Sequence, residues 1–130
     1  MDKRTIMVVD DDADVREAVT DLLEGHGYAV IPASNGQEAL DELKGRHHLP
    51  ALILLDVMMP IMDGQAFAAE QQADPELRDI PVVVFSAFGA ALDQMKDMHP
   101  MARLEKPVQA DQLLDSVERW SEATRMRGEA

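Results

Sequence analysis

Short apolar runs that break off abruptly into a polar residue most constrain this chain. Thr5-Ile6-Met7-Val8-Val9 stops at Asp10-Asp11-Asp12, and Ala51 to Leu55 stops at Asp56. Ile80 to Phe85 stops at Ser86, and a weaker run, Ala102 to Glu105, stops at Lys106-Pro107. Tyr28 to Pro32 supplies one more run. Continuous apolar runs of this length predict strands buried on both faces, as in a parallel sheet.

Each run is followed by apolar residues at helical spacing. Val15, Ala18, Val19, Leu22 and Leu23 form the first stripe, ended by Gly25 to Gly27. Asn35-Gly36-Gln37-Glu38 is a capping arrangement ahead of Ala39, Leu40 and Leu43. Asp63 can cap a third helix with Phe67 and Ala68 on its inner face. Phe88, Ala91, Leu92, Met95 and Met98 give a fourth stripe; Ala110, Leu113, Leu114, Val117 and Trp120 give a fifth, followed by a charged, frayed tail from Arg125. Asp12 and Asp14 read as an N-cap and a first-turn acid. Strict alternation of five strand-helix pairs implies right-handed crossovers. The expected fold is therefore α/β: a five-stranded parallel sheet with helices on both faces, a flavodoxin-like (βα)5 doubly wound domain. At 130 residues one domain is expected, covering 1–125, with 126–130 as a short tail.

The formal net charge of −13 argues against direct nucleic-acid binding by this chain, which needs basic residues against phosphates. It suits cations or basic partner surfaces. Cysteine is absent, which excludes disulfides and thiolate chemistry. No stretch approaches the ~20 apolar residues of a membrane helix, and the first apolar run is too short for a signal peptide, so a cytoplasmic location with no membrane association is expected.

In open α/β sheets ligands bind beyond the carboxyl ends of the strands. The strand ends here carry Asp10 and Asp11, Asp56, Ser86 and Lys106, far apart in sequence yet expected on one rim. Any one of them could simply mark where a strand meets water; all of them together point to a site. Carboxylates gathered within a few ångströms repel, so the site should recruit a proton or a cation. A hard divalent ion such as Mg²⁺ suits carboxylates, water and substrate phosphate. The Lys106 ammonium and the Ser86 hydroxyl can both address phosphoryl oxygens. Asp56 would then be the nucleophile, giving an aspartyl phosphate.

The stretches Val8-Val9-Asp10-Asp11, Leu54 to Gly64 (Leu-Leu-Asp-Val-Met-Met-Pro-Ile-Met-Asp-Gly), Phe85-Ser86-Ala87 and Glu105-Lys106-Pro107 resemble the receiver domain of bacterial two-component response regulators. The resemblance covers nearly the whole chain. It implies that Asp56 is the phosphorylated aspartate, Asp11 the direct Mg²⁺ ligand and Asp10 a second acid acting through water. It further implies that the Met58 position offers a backbone carbonyl to the metal, that Ser86 is the switch hydroxyl and Lys106 the phosphate-pairing lysine, and that the Lys106-Pro107 bond is often cis. The phosphoryl donor would be a phosphohistidine on a sensor histidine kinase or histidine phosphotransfer protein. The product would be a changed surface for an unidentified downstream protein, in a monomer or a phosphorylation-dependent homodimer.

Such a domain catalyses its own phosphorylation and slow dephosphorylation, so it is a switch and not a turnover enzyme; it reads as a stand-alone regulator or a receiver excised from a larger protein. One position departs from the family pattern: Arg103 stands where receivers usually carry Tyr or Phe. Two other classes fit less well. A phosphatase of the haloacid-dehalogenase type wants a second Asp two residues after the nucleophile, where this chain has Met58. A flavin-binding module wants a Ser/Thr/Gly-rich loop after the first strand, where this chain has aspartates.

Overall fold

The computed structural model describes residues 4–46, 48–56, 62–87, 100–106 and 109–129, with the side chains of 64, 65, 86, 87, 105, 106 and 123–129 outside that description. Its elements are β1 (Thr5–Val9), α1 (Ala13–Gly25), β2 (Ala29–Ala33), α2 (Gly36–Lys44), β3 (Leu52–Asp56), α3 (Gly64–Ala73), β4 (Val82–Ala87), β5 (Ala102–Lys106) and α4 (Ala110–Glu129). The strands form one parallel sheet in the order β2-β1-β3-β4-β5. The sheet expected from the apolar runs is therefore present. The fourth apolar stripe, Phe88 to Met98, lies outside the described residues.

Side-chain alternation along the strands divides the core into two layers. Met7, Val9, Ile53, Leu55 and Val84 pack with Leu40, Leu43 and Phe67 on the side of α2 and α3. Ile6, Val8, Leu52, Leu54, Val83 and Phe85 pack with Leu23, Leu113 and Val117 on the side of α1 and α4. Two members of the predicted stripes fall outside these layers: Ala18 and Ala110 are exposed. Ala110 is simply the first residue of its helix.

The helix ends follow the local chemistry of the sequence. Asp12 accepts from the amides of Asp14 and Val15, Asn35 from Glu38 and Asp63 from Ala66, each satisfying donors that a helix start leaves unpaired. Glu38 reaches back to the amide and hydroxyl of Ser34, at 2.9 and 3.1 Å. At the end of α1, Gly27 takes φ 93°. The Tyr28 amide donates to Leu23 O and the Gly27 amide to Glu24 O, both at 3.1 Å, which is the Schellman pattern that glycine permits.

That closure uses the Tyr28 amide, so β2 begins at Ala29, one residue later than expected. β4 likewise begins at Val82 and not at Ile80. The Ile80 amide closes a turn onto Leu77 O at 3.1 Å, and Pro81 has no amide to give. The last helix runs to Glu129, past the point where a frayed tail was expected.

Candidate functional site

Two of the acids converge because of register and parity. β1 and β3 are neighbours, with Val9 opposite Leu55, so Asp10 and Asp56 each stand one residue further along adjacent strands. Both share the parity of Val8 and Leu54, which face α1 and α4. Asp10 remains in line with the sheet, its amide donating to Ala33 O at 3.1 Å. Asp10 is fully buried and Asp56 nearly so, at 4% exposure, whereas Asp11 is exposed. One carboxylate oxygen from each of Asp10, Asp11 and Asp56 lies within 4.8 Å of the other two.

Unit charges at that separation repel by about 3 kcal/mol per pair at an effective dielectric constant of ~20. A cation is the direct way to offset that repulsion. The donor set is all oxygen and all carboxylate, two members buried and one open to solvent, which fits a hard divalent ion with some water retained. The cluster therefore passes the chemical test for a metal site.

Asp10 is held from several directions. Its Oδ1 accepts the Asp12 amide at 2.8 Å, and its backbone carbonyl accepts Nη1 of Arg16 at 2.8 Å. Arg16 was not among the residues singled out from the sequence, although it is the single basic residue in an acidic first helix. Of the remaining candidates, the backbone of Ser86 lies in β4 opposite Glu105, and Lys106 ends β5 opposite Ala87. The side chains of Ser86 and Lys106, and the whole of Met58 and Pro107, lie outside the described residues. Arg103 is exposed on β5, opposite Val84 in register.

A family model described as the response regulator receiver domain matches residues 6–118. The chain belongs to that family. Receivers act in two-component signal transduction, and phosphorylation and Mg²⁺ binding are typical of them. Among curated relatives, this receiver is 38% identical over 112 residues to "Response regulator Rre1" of Synechocystis, covering 84% of this chain and 48% of that protein. It is 41% identical over 93 residues to "Probable transcriptional regulator ycf27" of Pyropia yezoensis, covering 72% of this chain and 36% of that one.

The chain thus spans about half or less of the length of those relatives. Against "Polar-differentiation response regulator DivK" of Brucella anthropi it is 31% identical over 119 residues, covering 90% and 95% of the two chains. Among solved structures, a putative response regulator from Chloroflexus aurantiacus superposes with a TM-score of 0.84 at 28% identity, covering 93% of this receiver and 99% of that chain. The chemotaxis protein CheY4 of Vibrio cholerae gives 0.82 at 25%, covering 92% and 99%. No helix among the described residues is long and apolar enough to cross a membrane.

Proposed function

We propose that this receiver accepts a phosphoryl group onto Asp56 from a phosphohistidine on a sensor histidine kinase or histidine phosphotransfer protein, in a Mg²⁺-dependent reaction. The observation that carries the reading is the approach of one oxygen each from Asp10, Asp11 and Asp56 to within 4.8 Å, with Asp56 at the tip of a central strand. Asp11, Asp10 (through water), Asp56 and the backbone carbonyl at Met58 would hold the ion. Bound there, it would neutralise charge on the carboxylates and on the phosphoryl oxygens.

An Asp56 carboxylate oxygen attacks phosphorus, the phosphorus–nitrogen bond breaks, and the electron pair leaves with the imidazole, which takes up a proton. Lys106 pairs with a phosphoryl oxygen and Ser86 donates a hydrogen bond to another. Water later attacks the same phosphorus and releases inorganic phosphate, which restores the carboxylate. The domain assists both steps and serves as a switch in the cytoplasm. Phosphorylation changes the surface it offers to a downstream protein, as a monomer or as a homodimer that forms on phosphorylation. With Arg103 out in solvent, that surface presents a cation where the family's aromatic side chain usually stands.

The test is incubation with acetyl phosphate and Mg²⁺. An acid-stable, hydroxylamine-sensitive label is expected on the wild type and absent from Asp56→Asn; a label that survives Asp56→Asn would overturn the assignment. A pull-down with and without phosphoryl donor then recovers the partner.

A further inference from the structure

We infer that Arg16 is a positioning residue for the metal site, holding the turn that carries Asp10 and Asp11 in the geometry the ion needs. The inference rests on the reading of Asp10, Asp11 and Asp56 as the Mg²⁺ site, and adds a residue that touches neither ion nor phosphoryl group.

Asp10 is fully buried, and its backbone faces β2, where its amide donates to Ala33 O. A donor to the carbonyl of so buried a residue is costly to lose. The guanidinium of Arg16 supplies the donor at 2.8 Å. The same residue's amide donates to Asp12 O at 2.9 Å. One residue of α1 thus holds both ends of the Asp10–Asp12 turn, by side chain at the first carbonyl and by backbone at the third.

Electrostatics acts in the same direction. Asp10, Asp11, Asp12 and Asp14 place four carboxylates within five positions, and their mutual repulsion favours an opened turn. Arg16 is the one basic side chain among the thirteen residues of α1, and it is only partly exposed, which limits screening by water. It draws the turn closed from the carbonyl side, while the Asp10 carboxylate accepts the Asp12 amide.

A cation beside a metal site has two opposite effects, and their difference in sign makes the inference testable. By Coulomb's law alone, removing Arg16 should tighten Mg²⁺ binding. If Arg16 positions Asp10 and Asp11, removing it should weaken binding, as loss of a residue that orients ligands commonly does by 10–100-fold.

The experiment is calorimetric Mg²⁺ titration of the full, unphosphorylated chain as wild type, Arg16→Met and Arg16→Lys, with folding checked by circular dichroism. Met keeps the apolar stem but has neither donor nor charge; Lys keeps a charged donor of similar reach. Arg16→Met is expected to weaken Mg²⁺ binding about tenfold and to speed hydrogen exchange at the Asp12 amide, while Arg16→Lys stays within about threefold of the wild type. Arg16→Gln is a second neutral variant, with the same direction expected. Affinity that is unchanged or tightened in both neutral variants overturns this inference alone. No Mg²⁺ uptake by the wild type overturns both the inference and the reading beneath it.

Discussion

The amide of Gly36 donates to the carbonyl of Met62 at 3.2 Å, and a Cβ added at Gly36 would stand 2.8 Å from both that carbonyl oxygen and Met62 Cγ. The start of α2 is thereby seated against the residue two before α3, with no room for a side chain between them. Gly36→Ala should cost about 1–3 kcal/mol in urea unfolding, as overpacking of a closed contact does. Met62→Ala in the same chain should recover only part of that loss, because the carbonyl stays where it is. Full recovery would show that the side chain alone sets the fit.

Arg4 ties the start of β1 to the last helix. Its Nη1 lies 3.0 Å from Glu122 Oε2, 3.1 Å from the buried Ser121 hydroxyl and 3.3 Å from Glu118 O, and its guanidinium carbon sits 5.4 Å from the Tyr28 ring centre. The ion pair is partly exposed, 21% and 40% at the two side chains, so its own share is at most about 1 kcal/mol. Arg4→Ala should cost about 1–2 kcal/mol in all, the hydrogen bonds and ring contact supplying the rest. Raising the ionic strength should remove only the smaller, ionic share of that difference.

Tyr28 gives a pH signature that a single residue reports, since it is the only tyrosine in the chain. Burial raises its pKa above the ordinary 10.0; Glu118 and Glu122 push the same way and Arg4 opposes them. A raised acid favours the neutral form in the folded state. Its contribution to stability is therefore complete below the unfolded value and lost as pH climbs through the higher, folded one. Tyrosinate absorbance should titrate later in the native protein than in urea, and later still in Arg4→Ala. Tyr28→Phe should flatten that alkaline decline in stability.

Gln71 is fully buried and donates through Nε2 to Leu77 O and Ile80 O, both at 2.9 Å. It staples the segment that leads into β4. Its Oε1 has no partner among the described residues, a buried acceptor that a water molecule would satisfy. Gln71→Met should cost about 2–3 kcal/mol by thermal or urea unfolding, because two buried carbonyls lose their donor together. A smaller loss would mean that water takes the place of the amide.

The sheet was legible because its strands are written as solid apolar blocks. Thr5 to Val9 is a strand from end to end as expected, since nothing in it competes with the ladder. The boundaries that moved did so where local bonds claimed the backbone first, at Tyr28 by the close of α1 and at Ile80 and Pro81 by a turn. Asp10, Asp11 and Asp56 were legible as a cluster, because each ends or follows a buried run and register does the rest.

Arg16, Arg4 and Gln71 were less accessible to sequence reasoning, because their partners are backbone carbonyls or residues more than a hundred positions away. Gln71 did leave a trace: it follows Phe67 by four, a polar residue on an inner helical face. Arg16 left one too, as a lone cation in an acidic helix.

The alternation of β1 and β3 between two sealed apolar layers bears on how this switch can move. Each strand ending at an acid is gripped above and below, so tilting its tip toward one layer would drag an aliphatic side chain out of the other and open a void. The strands beneath Asp10 and Asp56 thus behave as a stiff beam. If Asp56 takes a phosphoryl group as proposed, the rearrangement that follows falls outside these two strands.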